Sequence, residues 1–88
     1  MMPSNNEADV RLWCTGYLVT ALRRPADRID PDADFASLGM DSAEMLFLVT
    51  ALEDRWGLDL PSDLPLDHPS VAALSRHIAA LLLAKPQA

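Results

Sequence analysis

DFASLGMDSAEML, residues 34–46, is the stretch that decides how this chain folds, because it joins a sharp turn directly to a helix start. Gly39 adopts positive φ without steric cost, which allows the turn. Asp41 stands three residues before Glu44, and this is the spacing of a capping box. The stretch therefore predicts a helix that begins at Ser42, with Asp41 as its N-cap.

One further long helix is predicted on each side of this one. The first follows a capping-box pattern that begins at Ser4, and it runs to about Leu22. The second helix is expected to end near Trp56, before Gly57, and the last to begin after Ser70 as its N-cap. Apolar residues at helical spacing give each of the three helices an expected inward face. The faces are Val10, Cys14, Tyr17, Leu18 and Ala21 on the first helix, Met45, Val49, Leu52 and Trp56 on the second, and Val71, Leu74, Ile78, Leu81 and Leu82 on the last.

The connections between these helices complete the predicted architecture. Residues 25–41 form a long loop, which Ile29, Phe35 and Leu38 are expected to pin to the core. Residues 62–66 have room for one short helical turn. No stretch alternates apolar and polar residues as a strand does. The expected fold is all-α, an irregular four-helix bundle with three main helices, one short helix and a long first loop.

Size and charge limit the possible classes of function. The 88 residues suit a single domain over residues 1–88, with a core at about 5–84. They contain no apolar run long enough to span a membrane. Thirteen acidic residues against seven basic ones give a formal net charge of −6, which disfavours nucleic acid and anionic lipid as partners. The single cysteine and the lack of a signal-peptide pattern favour a cytoplasmic location.

Three side chains are considered as reactive or metal-binding groups. Cys14 has no base or cation pattern around it, so we expect a small buried core residue rather than a reactive thiol. His68 and His77 lack the three or four converging ligands that a metal site needs. No metal site is therefore expected in this chain.

Ser42 stands at the first predicted position of the second helix, where a serine side chain is exposed and rigidly held. An anion attached to it would lie near free N–H groups and the positive end of the helix dipole. A serine hydrolase is a rival interpretation, but GMDSA at residues 39–43 is not a Gly-x-Ser-x-Gly elbow and follows no strand. A plain helix cap without modification is the other rival.

The chain resembles the acyl carrier and peptidyl carrier family around this serine. LGMDS at residues 38–42 matches the family's leucine–glycine turn followed by Asp-Ser at the start of the second helix. Phe35 matches the aromatic anchor before the turn, residues 52–58 resemble the end of the second helix, and residues 67–74 resemble the entry to the last. The resemblance extends over most of the chain, and it is closest in character to carriers of polyketide or mixed peptide–polyketide synthases.

The resemblance implies that Ser42 is esterified to 4′-phosphopantetheine, which a separate Mg²⁺-dependent phosphopantetheinyl transferase takes from coenzyme A. It also implies that Asp41 serves transferase recognition as well as capping the helix. The arm then carries acyl groups as thioesters between acyl-loading, condensing and downstream synthase enzymes, while the carrier, expected to be a monomer, catalyses nothing. A peptidyl or aminoacyl carrier of a nonribosomal peptide synthetase and an unmodified carrier-like docking module are the alternatives.

Partner recognition is expected to involve the outward face of the second helix. A rotation of about 100° per residue places Phe47 opposite the inward stripe. Free-standing fatty-acid carriers commonly have an acidic residue at this position, and this chain departs from that pattern. We predict a docking surface of Met40, Glu44, Phe47 and Asp54, with local packing of Phe47 against the long loop as the alternative. The sequence leaves open the acyl cargo and whether the domain is free-standing or part of a synthase.

Overall fold

The computed structural model describes residues 6–84 and shows four α-helices connected by turns. The elements are α1 (Glu7–Leu22), a 3₁₀ helix (Ala26–Arg28), α2 (Ser42–Trp56), α3 (Leu64–Asp67) and α4 (Val71–Ala84). Within residues 6–84 there is no strand, and an isolated antiparallel bridge joins Asp34 to Ser70. The predicted irregular four-helix bundle is confirmed, and the 3₁₀ helix is an addition to the expected elements.

The N-cap of α1 is Asn6, whose side-chain oxygen accepts a hydrogen bond from the Asp9 amide at 2.9 Å. The capping-box pattern indicates Ser4 instead, a residue outside the described range, and that prediction of the cap is wrong. Three good capping residues, Ser4, Asn5 and Asn6, stand in succession, and the one next to the first helical turn is used. The end at Leu22 agrees with the prediction, and Arg23 closes the helix in a left-handed conformation with φ 56°.

The core forms where α1 packs on α4 and where α2 and the long loop cover them. The largest fully buried side chains include Phe35, Leu18, Leu48, Leu52, Leu74 and Ile78. Trp13 connects α1 to α2, because its ring meets that of Trp56 edge-on at 5.4 Å. Four predicted inward positions are less buried than expected, with Ala21 exposed and Tyr17, Met45 and Leu81 half-buried.

The long loop before α2 is held down by buried apolar side chains, as the sequence predicts. Ile29, Phe35 and Leu38 are each at most 4% exposed. The Phe35 amide also donates a hydrogen bond to the Pro69 carbonyl at 2.7 Å. The loop is therefore fixed both to the core and to the residues that precede α4.

The last helix begins as the sequence predicts, because the Ser70 hydroxyl accepts a hydrogen bond from the Ala73 amide at 3.1 Å. α4 is the most apolar of the helices, yet its 14 residues are fewer than the roughly 20 that a bilayer requires. None of the helices within residues 6–84 is long and apolar enough to cross a membrane.

Candidate functional site

Ser42 occupies the first position of α2 and is exposed. A complete capping box closes the helix start around it. Asp41 Oδ1 accepts from the Glu44 amide at 2.8 Å, and Glu44 Oε1 accepts from the Asp41 amide at 3.1 Å. The predicted helix start and capping box are therefore confirmed, and they hold the Ser42 hydroxyl on a rigid element.

The backbone around Ser42 favours an attached anion. Within residues 6–84 neither the Ser42 amide nor the Ala43 amide donates a hydrogen bond, as is usual in the first turn of a helix. α2 is 15 residues long, so the positive end of its dipole lies at the same place. A phosphate group on the serine oxygen would find both amide donors and a favourable field, so the surroundings fit phosphopantetheine.

The turn before α2 is made at a glycine and lies beside an arginine side chain. Gly39 has φ +98°, which confirms the predicted turn, and its amide donates to the Ala36 carbonyl at 3.0 Å. A Cβ at Gly39 would lie 3.6 Å from Nη2 of Arg24, so the Arg24 guanidinium group lies against the turn. In the sequence Arg24 fits the negative C-terminal end of the first helix dipole, and nothing local connects it to the turn.

Met40 does not lie on the surface where the docking prediction places it. Its side chain is 4% exposed and belongs to the core, and its amide donates to the Phe35 carbonyl at 3.0 Å. The prediction that Met40 contributes to docking is therefore wrong. The turn at Gly39 directs the next side chain inward, where burial removes the apolar thioether from water.

The other predicted docking residues share the outward face of α2. Phe47 is 61% exposed and Asp54 is also exposed. Glu44 is half-buried, with its carboxylate engaged in the capping box. Spacings of three and seven residues keep the three side chains on one side of the helix. Phe47 therefore projects into solvent rather than packing against the long loop.

A shallow groove of about 170 Å³ opens beside Ser42. Its lining consists of Ser42, Met45, Ser62, Asp63, Pro65 and Leu66. Leu66 is 74% exposed, so an apolar wall contributed by α3 stands next to the serine. The sequence gives one indication of this exposed leucine. Leu66 directly follows Pro65 in a segment with room for only one short helical turn, and so short a helix cannot bury all its apolar side chains.

His68 and His77 come together although nine positions separate them in sequence. Their rings stack with centroids 4.1 Å apart and planes inclined by 16°. Burial lowers the pKa of His77, the neighbouring His68 lowers it further, and Asp67 offsets part of this. In the described part of the chain, no group of three or more His, Cys, Asp or Glu side chains is placed to hold a metal ion.

Cys14 is a fully buried core residue, as expected. Burial raises the pKa of its thiol to about 12, and the side chain of Ser75 offsets this only in part. The thiol is therefore protonated at neutral pH and shielded from solvent, so it is not a reactive group.

Comparison with known proteins gives the class of this fold and site. The family model for a phosphopantetheine attachment site matches residues 15–78. A free-standing peptidyl carrier protein from Acinetobacter baumannii superimposes with a TM-score of 0.84 at 29% identity, covering 90% of this chain and 99% of that one. The HMG-ACPI domain from the CurA module of Lyngbya majuscula gives 0.83 at 26% identity, covering 96% of this chain and 88% of that one.

The curated relatives are far longer than this chain. A phenolphthiocerol/phthiocerol polyketide synthase of Mycobacterium tuberculosis is 36% identical over 79 residues, which is 86% of this chain and 4% of the relative. The spectinabilin polyketide synthase system protein NorB of Streptomyces orinoci is 37% identical over 89 residues, covering 100% of this chain. The chain thus spans only 4% of the length of each of these relatives.

A small helical bundle with an exposed serine at a capped helix start has the architecture of a carrier domain. The two carrier structures that superimpose on this chain have the same architecture. The chain belongs to the phosphopantetheine attachment-site family. Proteins of this family carry covalently attached 4′-phosphopantetheine, so the predicted family, carrier function and cofactor are confirmed. The similarity to polyketide synthase proteins agrees with the expected character of the domain.

Proposed function

We propose that this domain tethers acyl intermediates as thioesters on a 4′-phosphopantetheine arm at Ser42 and carries them between biosynthetic enzymes. The observation that supports Ser42 most directly is its exposed position at the start of a capped, 15-residue helix. Ser42 also lies inside the stretch that the family model matches.

Attachment is a phosphoryl transfer to the Ser42 hydroxyl. Ser42 Oγ bonds to the phosphorus next to the pantetheine unit of coenzyme A, adenosine 3′,5′-bisphosphate leaves, and the hydroxyl proton passes to a base of the transferase. The unpaired amides and the dipole at the start of α2 stabilise the negative charge of the phosphodiester. Once attached, the arm supplies the thiol that forms thioesters with acyl groups.

Asp41 has two roles in this proposal. Its Oδ1 caps α2 through the Glu44 amide. The residue is otherwise exposed, so its second carboxylate oxygen is available to the phosphopantetheinyl transferase and to the Mg²⁺ that the transferase uses. The capping bond holds the carboxylate of this residue, which immediately precedes Ser42 in the sequence.

The proposed partners are the acyl-loading, condensing and downstream enzymes of polyketide or mixed peptide–polyketide assembly in the cytoplasm. The two polyketide synthase relatives support this choice. The domain, one unit over residues 1–88, acts as a monomer and catalyses nothing. The likeness to a peptidyl carrier makes aminoacyl cargo the second candidate.

Partner enzymes dock, in this proposal, on the outward face of α2 through Phe47, Glu44 and Asp54. The exposed Phe47 ring offers a large apolar area for burial in a partner's pocket. The flanking carboxylates attract a basic surface and steer its approach. Met40 has no part in this surface, since it is buried.

Incubation with coenzyme A and a broad-specificity transferase tests the attachment residue. By intact-protein mass spectrometry the wild-type domain gains one phosphopantetheinyl group, whereas Ser42→Ala gains none because the accepting oxygen is missing. Ser37→Ala, a change at an exposed serine in the preceding loop, is the matched control and is modified like the wild type. A wild-type domain of unchanged mass, or a gain that persists in Ser42→Ala, contradicts the proposal.

Phe47→Ala tests the docking surface. The rate of acyl transfer with cognate synthase enzymes is expected to fall about tenfold or more, as for an interface aromatic residue. Leu12→Ala, at a 73% exposed position of α1, is the control and leaves the rate unchanged. Equal rates for Phe47→Ala and the wild type would remove the docking role of this face.

A further inference from the structure

Two arginine side chains in the connection that follows α1 line one open cleft. Arg24, Pro25 and Arg28 surround a concavity of about 360 Å³. Both arginines are exposed, and neither forms an ion pair in the part of the chain that the structure describes. The chain as a whole carries a net charge of −6, so two unpaired guanidinium groups facing one cleft make a local exception. Such a cleft attracts an anion.

The cleft lies close to the attachment residue. Nη2 of Arg24 is 3.6 Å from the position of a Cβ on Gly39, which precedes Ser42 by three residues. Extended chain covers up to about 3.6 Å per residue, so the backbone from Gly39 to Ser42 spans at most roughly 11 Å. A flexible arm on Ser42 that reaches the active sites of other enzymes can therefore also fold back to this cleft.

The groove on the α3 side of Ser42 has the opposite character. Met45, Pro65 and Leu66 give it apolar walls, and Asp63 adds a carboxylate. An apolar acyl group loses contact with water along such walls, whereas a second carboxylate is repelled by Asp63. Of the arginine cleft and this groove, only the arginine cleft suits an anionic group.

We propose that the Arg24–Arg28 cleft is a subsite for the free carboxylate of a dicarboxylic acyl group, such as malonyl, held on the arm. This inference rests on the proposed attachment at Ser42, because the tether brings the carboxylate to the cleft. The planar guanidinium group offers paired N–H donors that match the two carboxylate oxygens. An acyl group without a second carboxylate has no partner there.

The contact is transient, because exposed ion pairs are weak and screened by salt. The tether compensates in part, since it holds the carboxylate at an effective concentration on the order of millimolar near the cleft. The subsite therefore biases where a carboxylated cargo rests between visits to enzymes, and it does not lock the cargo in place.

The test compares malonyl- and acetyl-loaded domains prepared by a transferase from malonyl- and acetyl-coenzyme A. Intact-protein mass spectrometry first shows that both are fully loaded; a failure at this step counts against attachment itself and is distinguishable from a failure of the subsite. In ¹H–¹⁵N NMR spectra the Nε–H signals of Arg24 and Arg28 are expected to shift in the malonyl form only. The shifts disappear at high salt, and the exposed Arg76 on α4 is the unshifted control.

A double variant, Arg24→Gln with Arg28→Gln, gives a second measurement that does not depend on arginine signals. The malonyl-dependent shift of the Gly39 amide is expected to be lost in the double variant and kept in Arg76→Gln. Fully loaded malonyl and acetyl domains with identical spectra at the cleft would overturn the proposal. Equal shifts in both forms would also overturn it, since they would assign the contact to the arm's phosphate. Shifts seen only on adding an acidic protein partner would assign the cleft to that partner and not to cargo.

Discussion

The two connections that flank α2 are held in place by different means. The connection before α2, residues 23–41, has four buried apolar anchors: Ile29, Phe35, Leu38 and Met40. The connection after α2, residues 57–70, contains α3, whose N-cap residue Asp63 makes no side-chain capping hydrogen bond. The end of this second connection is held partly by the stacked rings of His68 and His77.

This difference indicates a fixed serine beside an adaptable wall. Ser42 directly follows the anchored connection and its capping box, whereas Leu66 belongs to the short, weakly capped α3. Leu60 and Leu64 are buried in the second connection too, so the difference lies in capping: local opening costs less where capping bonds are absent, and the four-residue α3 therefore opens more readily than the start of α2. With the arm on Ser42 as proposed, a fixed attachment point would present it in one geometry, and an adaptable wall would accommodate acyl groups of different sizes.

Phe35→Ala should give the largest effect on stability, because it removes the main anchor of the first connection. Loss of this 1% exposed aromatic side chain is expected to lower the free energy of unfolding by about 3–5 kcal/mol, as measured by chemical denaturation. Phe47→Ala is the matched control at an exposed position and should change it by less than about 0.5 kcal/mol. Similar losses in both variants would show that Phe35 is not the anchor.

Asp41→Ala should have an intermediate effect and sharpens the contrast between the two helix starts. Loss of the capping bond to the Glu44 amide is expected to lower the free energy of unfolding by about 1 kcal/mol. Asp63→Ala removes no capping bond from α3 and should change it by less than about 0.5 kcal/mol. A larger loss of unfolding free energy in Asp63→Ala than in Asp41→Ala would contradict the conclusion that the first connection is better fixed than the second.

The smallest expected effect is the response of the second connection to acid. The folded pKa of His77 lies below its usual value of 6.5, mainly because of burial, so the unfolded chain binds the proton more readily. The contribution of His77 to stability is therefore present above pH 6.5 and is lost as pH falls through the folded pKa. Melting temperatures measured from pH 7.5 downward should fall less steeply for His77→Gln than for the wild type. Identical slopes would show that the stack does not link stability to pH.

Helix boundaries could be predicted because their signals are local. The pairing of Asp41 with Glu44 and the left-handed Gly57, with φ 65°, both lie within a few residues of the ends they define. The same locality explains the wrong cap of α1, where Ser4 and Asn6 are both suitable residues and the sequence offers no means to choose between them. Ser42 could be chosen as the candidate site residue because residues 38–42 resemble the carrier family's motif, and the local helix-start signals agree with that choice.

Contacts between distant segments could not be predicted. The inward position of Met40 depends on how the Gly39 turn closes against the core, and the sequence pattern showed only an apolar residue next to the candidate site. The approach of Arg24 to Gly39 and the stacking of His68 on His77 depend on the paths of whole connections. No hydrophobic periodicity encodes such paths, so both the arginine cleft and the stacked pair come from the structure alone.

The pairing of the long loop with the start of α4 has a consequence for protein synthesis in the cell. Ser70 bridges to Asp34 and caps α4 with its hydroxyl, while the neighbouring Pro69 accepts the Phe35 amide. The loop in front of Ser42 therefore cannot close until residue 70 has left the ribosome, and such long-range closures come late in folding. A transferase that requires the closed loop would meet its substrate only when most of the domain has been translated, which keeps half-made chains from consuming coenzyme A.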